Sequence, residues 1–171
     1  QDAGRKRRKF AGFSEEELNR PPERTMVIVP YLRDRNDPAE DIGGRTNRSL
    51  EARLQEAIGL ARAIDLEIVE AGIIPIKNPK PGTLFGSGKI EELAVVAKTQ
   101  DIGLVVVDHA LTPVQQRKLE KALNSKVMDR TGLILEIFGE RAQTKEGRLQ
   151  VELAHLSYQK SRLVRSWTHL E

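Results

Sequence analysis

The sequence predicts an α/β fold: a small parallel sheet flanked by helices, followed by a long helix that forms half of an antiparallel helical hairpin. Short aliphatic segments alternate with segments of helical periodicity, which is the pattern of βαβ units with right-handed crossovers. Only 4% of the residues are aromatic, so the core must rest on aliphatic side chains, as in sheets covered on both faces. The last part of the chain carries apolar residues at heptad spacing, which indicates a long helix.

The first half of the chain begins with a segment that has little to place in a core. Residues 1–24 contain RKRRK, then SEEEL, then two prolines, so we expect a tail or linker. Residues 25–32, TMVIVPYL, predict the first strand, and the polar residues 33–47 predict a loop. Ser49 is expected to cap the helix that follows. Residues 66–76 then return to strand character.

The middle of the chain repeats this alternation. Residues 85–89, FGSGK, open the next helix, and residues 103–108, GLVVVD, are the clearest buried strand. Thr112 and Gln115 have the spacing of a capping box around Pro113, which predicts a helix from Pro113 to about Leu123. Residues 127–128 are predicted to be the last short strand.

One long helix is predicted from Asp129 to Leu170, with a local weakening at Gly147. Its apolar heptad positions call for a partner helix: Ala142, Leu149, Leu153, Leu156, Leu163, Trp167 and Leu170. No other segment offers a matching pattern, the pattern still runs at the last residue, and the first residue is not methionine. We therefore expect a longer protein, with a tail at 1–24, an α/β domain at 25–130 and a helical subdomain at 131–171 truncated before its partner helix.

Composition excludes several classes of function. The chain has no cysteine and three histidines, so we expect no thiolate or histidine metal site. No apolar run reaches the roughly 18 residues that a membrane span requires. We expect a cytoplasmic protein, with peripheral membrane association as an open alternative. The net charge of +3 is compatible with a polyanionic partner.

A polar site is expected at the carboxyl ends of the strands, where ligands bind in open parallel sheets. The candidate nucleotide-binding residues are Gly86, Ser87, Gly88, Lys89 and Asp108. Glycines at a helix start attract anions, although the stretch is no Walker A loop, because Ile90 follows the lysine where serine or threonine is required. A plain glycine turn into the helix remains the alternative. No nucleophile with a glycine elbow lies near, so we assign no catalytic residue.

Basic residues form a second candidate site along the terminal helix. Arg141, Arg148 and Arg162 share one heptad position and recur about 10 Å apart or at twice that spacing, so each could meet a phosphate of a nucleic-acid backbone. The candidate RNA-binding residues are Arg141, Lys145, Arg148, His155 and Arg162. The alternative is an ordinary solvated helix face, neutralised by nearby glutamates.

Three segments, in order, carry a resemblance to a known family. They are GTLFGSGKIEEL, VVVDHALTPVQQRKLE and DRTGLILEIFGERAQTKEGRLQVELAHLSY. Together they resemble the amino-terminal region of the HflX family of ribosome-associated GTPases, over roughly residues 25–171. Many members have a Leu-Pro pair where this chain has Lys160-Ser161, which affects where the long helix bends. The family's G domain does not follow in this sequence.

The resemblance implies a function for the intact protein. It would be a GTPase that uses GTP and Mg²⁺ and acts on the large ribosomal subunit and its rRNA, splitting or rescuing ribosomes stalled under stress. This chain would be the ribosome-binding module, without a cofactor of its own, and its further partners would be its own G domain and the second helix of the hairpin. Two alternatives stay open: an ATP-binding domain that acts as an RNA-dependent ATPase, and a structural spacer that regulates the G domain.

Overall fold

The computed structural model describes residues 22–33, 45–142 and 144–167, with the backbone alone for 45–48 and 162–167. The strands are β1 (Arg24–Leu32), β2 (Glu67–Ile76), β3 (Leu104–Val107) and β4 (Lys126–Asp129). The helices are α1 (Arg45–Ala63), α2 (Ser87–Thr99), α3 (Pro113–Leu123), α4 (Arg130–Arg141) and α5 (Lys145–Trp167). All strands are parallel and lie in the order β2-β1-β3-β4, which confirms the predicted α/β architecture.

The two faces of the sheet are covered by different helices. Side chains alternate across β1, so Met26 and Ile28 pack with residues of α2 and α3, whereas Val27 and Val29 pack with residues of α1 and α4. The same alternation runs through β3. Because both faces are buried, these strands consist of continuous aliphatic residues, as the low aromatic content indicates.

The carboxyl edge of the sheet has a step between β1 and β3. Their pairing ends at Ile28 and Val107, while β1 continues beside β2 as far as Leu32. Pro30 lies in this continued part. Backbone groups two residues apart point to the same side, and the Ile28 carbonyl accepts from Asp108 N at 2.9 Å, so Pro30 faces the side on which β3 has ended. Its missing N–H therefore costs the sheet no hydrogen bond.

Most element predictions are confirmed, and the start of α3 is the clearest. The Thr112 hydroxyl accepts from Gln115 N at 3.1 Å and the Gln115 side chain accepts from Thr112 N at 3.0 Å. The prediction that Ser49 caps α1 is wrong, because α1 begins at Arg45. Hydrophobic periodicity marks only the part of a helix that contacts the core, and the polar first turn of α1 carries no such pattern.

The prediction of one continuous helix from Asp129 is wrong. Helix α4 ends at Arg141, and Ala142 has extended backbone angles, φ −64° and ψ 115°. The Thr144 hydroxyl accepts from Gly147 N at 2.9 Å and so caps the first turn of α5. This local bond competes with continuation of the helix. The leucines of the predicted heptad pattern that the structure describes all lie in α5, so their periodicity does not show the break. Helices α4 and α5 are separate helices.

Helices α4 and α5 run in opposite directions along their contact. His155 of α5 meets Glu136 of α4, and Tyr158, farther along α5, meets Asp129 at the start of α4. The other face of α5 carries Leu149, Leu153 and Leu156, which are 56%, 66% and 57% exposed. Within the described part of the chain this apolar face has no partner helix. The predicted seam residues Leu163, Trp167 and Leu170 lie outside the described side chains.

The capping box of α3 gives a first testable prediction. Thr112→Ala removes the side-chain acceptor of the first turn and should lower the free energy of unfolding by about 1 kcal/mol. Thermal denaturation should then show a melting temperature about 2–4 °C below the parent's. Thr99→Ala is the control, because the Thr99 hydroxyl is exposed and has no hydrogen bond to any described residue. Equal melting temperatures for both variants would contradict the stabilising role of the cap.

Candidate functional site

The topology of the sheet singles out the carboxyl ends of β1 and β3. The chain leaves β1 through α1 to the strand on one side, and leaves β3 through α3 to the strand on the other side. Two neighbouring strands whose connections diverge in this way form a topological switch point. Ligands of open parallel sheets bind in the crevice beyond the strand ends at such a point.

Asp108 lies at this switch point, directly after β3. A γ-turn ends the strand, because His109 N donates to Val107 O at 2.8 Å. The Asp108 side chain is almost fully buried, and two arginines approach it. Arg53 Nη2 lies 3.5 Å from Oδ2, and Arg130 Nε lies 3.8 Å from Oδ1. The Asp108 carboxylate therefore lies between two guanidinium groups.

Asp129, at the end of β4, is held by a different set of donors. Its Oδ1 accepts from Gly132 N at 2.9 Å and from the Tyr158 hydroxyl at 2.7 Å. Its Oδ2 accepts from Leu111 N at 3.3 Å. The side chain caps α4 and is 1% exposed. One buried carboxylate therefore connects the β3–α3 loop, the start of α4 and the middle of α5.

Gly132 leaves room for this arrangement. A Cβ added at Gly132 would lie 3.0 Å from Met128 Cγ, which would have to shift, and in ordinary contact with the Tyr158 hydroxyl oxygen at 3.6 Å. Tyr158 also lies 3.5 Å from Gln116 Oε1, and the Gln116 amide donates to Val127 O at 2.8 Å. The tyrosine thus joins α5 to both α3 and α4.

His155 and Glu136 form a second contact between α4 and α5, with His155 Nε2 3.3 Å from Glu136 Oε1. Burial raises the pKa of Glu136 above its ordinary value, and the neighbouring His155 offsets part of this effect. The sequence favoured a solvent-facing His155, and that interpretation is wrong. A helical pattern gives the face of a residue only relative to its own helix, and the position of α4 was not known.

The predicted nucleotide turn is placed apart from Asp108. Gly86 is the N-cap of α2, and Lys89 Nζ lies 3.0 Å from Glu92 Oε2. The preceding loop rests on α3, where a Cβ on Gly82 would lie 3.0 Å from Lys118 Nζ. In the described ranges no contact joins the 86–89 turn to Asp108, whereas Arg130 N donates to His109 O at 3.4 Å, so residues 108–109 and 129–130 meet at this edge of the sheet. Nucleotide binding by Gly86, Ser87, Gly88 and Lys89 stays a prediction.

The predicted basic row is divided by the helix break. Arg141 ends α4, whereas Lys145 and Arg148 lie in the first turns of α5, and all three are exposed. Arg148 Nε donates to Ala142 O at 3.3 Å, which holds it at the corner between the helices. The side chain of Arg162 lies outside the described residues. RNA binding by these residues stays a prediction.

Sequence reasoning missed Arg53, Tyr158 and Gln116. Arg53 is one of several polar residues of α1, and no spacing marks it as a partner of Asp108. A signal for Asp129 did exist, since an aspartate directly before a helix is a preferred N-cap. In the parts of the chain with described side chains, no group of three or more His, Asp or Glu is placed to hold a metal ion. No described helix has the length and apolar character to cross a membrane.

Two family models match the chain. The model described as GTP-binding GTPase N-terminal matches residues 51–139, which extend from within α1 to near the end of α4. The model described as GTP-binding GTPase Middle Region matches residues 141–171. The junction between the two matches falls at the corner between α4 and α5.

Curated relatives are similar over most of this chain. The GTPase HflX of Magnetococcus marinus is 54% identical over 126 residues, which are 74% of this chain and 29% of that protein. The GTPase HflX of Escherichia coli is 47% identical over 118 residues, 69% of this chain and 28% of its own length. The GTPase HflX of Caldanaerobacter subterraneus is 37% identical over 155 residues, which are 91% of this chain and 33% of that protein. The chain thus spans a third or less of these relatives.

Solved structures share the fold. A GTP-binding protein from the archaeon Sulfolobus solfataricus, in complex with GDP, superposes with a TM-score of 0.59 at 20% identity, covering 85% of this chain and 40% of that chain. A mutation variant of SsGBP gives a TM-score of 0.61 at 20% identity, covering 84% and 41%. At this identity the likeness establishes the architecture alone.

The hydrogen bond between Tyr158 and Asp129 gives a second prediction. Tyr158→Phe removes one of the donors to a buried carboxyl and should lower the free energy of unfolding by about 1–2 kcal/mol. Hydrogen exchange of α5 should accelerate more than that of β1, because the lost bond attaches α5 to the rest. Ser157→Ala, at an exposed neighbouring position of α5, is the control. Unchanged stability and exchange in Tyr158→Phe would show that the contact contributes nothing.

The pKa of Glu136 gives a third prediction. A carboxyl whose pKa is raised on folding binds its proton more tightly in the folded state, so its contribution to stability is present below the ordinary pKa of 4.5 and is lost as pH rises through the folded-state pKa. Glu136→Gln removes the titrating carboxyl, so the variant does not lose this stability as pH rises. The melting temperature of the variant should therefore gain on the parent's between about pH 4 and about pH 7.

The matched control is Glu91→Gln, at an exposed position of α2. Its melting temperature should keep the same difference from the parent's over this pH range. If Glu136→Gln and Glu91→Gln give parallel pH profiles, burial of Glu136 has no energetic consequence.

Proposed function

The chain belongs to the HflX family of GTPases, and from that premise we propose that it is the part of such a GTPase that binds the large ribosomal subunit. The proposal is supported by the match of both family models and by the arrangement of exposed cations at the corner between α4 and α5. The partner is the rRNA at the surface of the subunit.

The observation that carries the proposal is the corner itself. The helix break at Ala142 brings the end of α4 next to the first turns of α5, and Arg141, Lys145 and Arg148 are all exposed there. A bend of this kind projects cations in more than one direction. A straight helix would align them in a single row. Such a convex basic corner suits the irregular phosphate surface of a folded RNA.

The charge balance of this corner is positive but small. Arg141, Lys145 and Arg148 stand against Glu140 and Glu146, so five charged side chains leave a net charge of +1. A weakly positive surface gives salt-dependent binding to polyanions without strong non-specific attraction. Affinity for the subunit would then require further contacts, for which Arg162 and His155 were predicted candidates. The His155 side chain is 18% exposed and contacts Glu136 near the middle of α5, so we leave it out of the proposed RNA surface.

The activity of the intact protein is also a proposal. Relatives in which the matched segment makes up 29% and 28% of the length carry the name GTPase HflX, so we propose that GTP and Mg²⁺ are bound by a G domain outside the residues described in this chain. That domain would use the bound ribosome as its effector, and the intact protein would split or rescue stalled ribosomes in the cytoplasm. The exposed Leu149, Leu153 and Leu156 would receive the second helix of the hairpin.

The two alternatives receive less support. An ATPase that uses the 86–89 turn would need Lys89 to face a phosphate, and its ammonium pairs with Glu92 instead. A pure spacer would need the apolar face of α5 but no exposed cations. The charge of the corner therefore separates a ribosome binder from a spacer.

The test is co-sedimentation with large ribosomal subunits across a salt series. Replacing Arg141, Arg148 and Arg162 by glutamine should weaken binding and flatten its salt dependence by about one counterion per lost phosphate contact. The free energy of unfolding should change by less than about 0.5 kcal/mol for each of Arg141 and Arg148, since exposed positions tolerate such changes.

A control variant removes the same charge elsewhere. Arg62, Lys98 and Lys121 are exposed in the last turns of α1, α2 and α3, on helices that do not form the corner. Replacing all three by glutamine should leave the affinity and the salt slope close to the parent's. If both triple variants bind like the parent, the corner is a solvated helix surface and the spacer function gains support.

A further inference from the structure

We propose that Arg53, Asp108 and Arg130 form a phosphate-binding site at the switch point between β1 and β3. The ligand class is a phosphate group of a nucleotide or of an RNA strand, since both present the same oxygens. This inference does not rest on ribosome binding, because the site lies at the carboxyl edge of the sheet and is built from α1, β3 and α4.

The first support is the way in which the arginines are held. Arg53 reaches Asp108 through Nη2, which lies 3.5 Å from both Oδ2 and the Asp108 carbonyl oxygen. Arg130 reaches it through Nε alone, 3.8 Å from Oδ1. A guanidinium has five N–H donors, and the remaining donors of both groups meet no other residue in the described ranges. Within the described residues, the buried carboxylate therefore orients both guanidinium groups, and most of their donors have no protein partner there.

The second support is electrostatic. Arg53, Asp108 and Arg130 together have a net charge of +1, and the carboxylate of Asp129, the residue before Arg130, is held by separate donors inside the fold. Arg130 is the first residue of α4, where the helix dipole is positive and a cation is disfavoured. An anionic ligand would relieve this repulsion, and planar guanidinium groups bind phosphate oxygens in pairs. The arginine side chains are 38% and 52% exposed, whereas Asp108 is 9% exposed, so an arriving anion meets the cations first.

The third support is the shape of the edge. Strand β1 extends beyond its last pair with β3, from Val29 to Leu32, which is about 13 Å of strand at the usual rise. This extension forms one wall beside the end of β3. Helix α4 begins on the other side, and Arg130 N lies 3.4 Å from His109 O. The cations thus lie at the base of a step in the sheet, which is the position that ligands occupy in folds of this kind.

The test is a titration of the isotope-labelled chain with inorganic phosphate, ATP, and a short single-stranded oligoribonucleotide, followed by NMR. All probes should shift the backbone amides of Asp108 to Leu111 and of Arg130, together with the side-chain Nε–H signals of Arg53 and Arg130. Comparing ATP with the oligoribonucleotide at equal phosphate concentration identifies the source, since the natural ligand should bind with the higher affinity.

Variants distinguish a binding site from a structural ion cluster. Arg53→Gln and Arg130→Gln should each weaken the tightest of these probes by about tenfold, as expected for the loss of a charged hydrogen-bond donor. Lys89→Gln is the matched control: it removes one positive charge from the 86–89 turn and should leave the affinity unchanged. Amide spectra of each variant confirm that the sheet is intact.

Several outcomes would overturn the proposal. If phosphate and ATP at millimolar concentration and the oligoribonucleotide all leave the 108–111 and 130 signals unmoved, there is no such site. If Lys89→Gln lowers the affinity and the arginine variants do not, the anion binds at the 86–89 turn. If the arginine variants lose stability but keep full phosphate affinity, the arginines only neutralise Asp108. None of these results depends on whether the chain binds ribosomes.

Discussion

The buried carboxylate of Asp129 is the constraint on which this end of the molecule depends. A carboxylate without water or donors is costly to bury, and Asp129 meets its requirement with donors from separate parts of the chain: Leu111 N, Gly132 N and the Tyr158 hydroxyl. No two of them lie in the same element. The position of the β3–α3 loop, the start of α4 and the placement of α5 are therefore fixed together.

The two aspartates that end β3 and β4 are satisfied by different chemistry, and this difference separates their roles. Asp129 accepts from neutral donors inside the fold, so it has nothing to exchange with a ligand. Asp108 is balanced by Arg53 and Arg130, whose side chains extend to the surface. The guanidinium groups can offer their other N–H donors to an incoming anion while they stay beside the Asp108 carboxylate, whereas backbone amides cannot leave their carboxylate without unfolding a helix start. Of the two neighbouring strand ends, the one at Asp129 therefore holds the structure together, and the one at Asp108 carries the charged groups that a ligand can reach.

Local signals in the sequence predicted the fold well. The capping box at Thr112 and the aliphatic run of β3 each depend on residues close in sequence, and both appear as expected. The break at Ala142 was missed because the leucine periodicity belongs to α5 alone and carries no signal of where α4 ends. Arg53 and Tyr158 were missed for another reason: their partners lie 55 and 29 residues away. Contacts of that range depend on which helix covers which face of the sheet, and periodicity does not determine this.

The corner between α4 and α5 also has a mechanical consequence. Helix α5 continues from Tyr158 to Trp167, so its last part projects about 14 Å beyond the tyrosine at 1.5 Å per residue. A tilt of about 10° around the Tyr158 contact would move its end by about 2 Å, given that helix rise. The α/β layers contact the helix near its middle. A partner that covers Leu149, Leu153 and Leu156 would press on the opposite, exposed face of the helix. Forces on the exposed side of α5 therefore reach the α/β layers through its contacts near the middle, which are those of Tyr158 with Asp129 and Gln116 and that of His155 with Glu136.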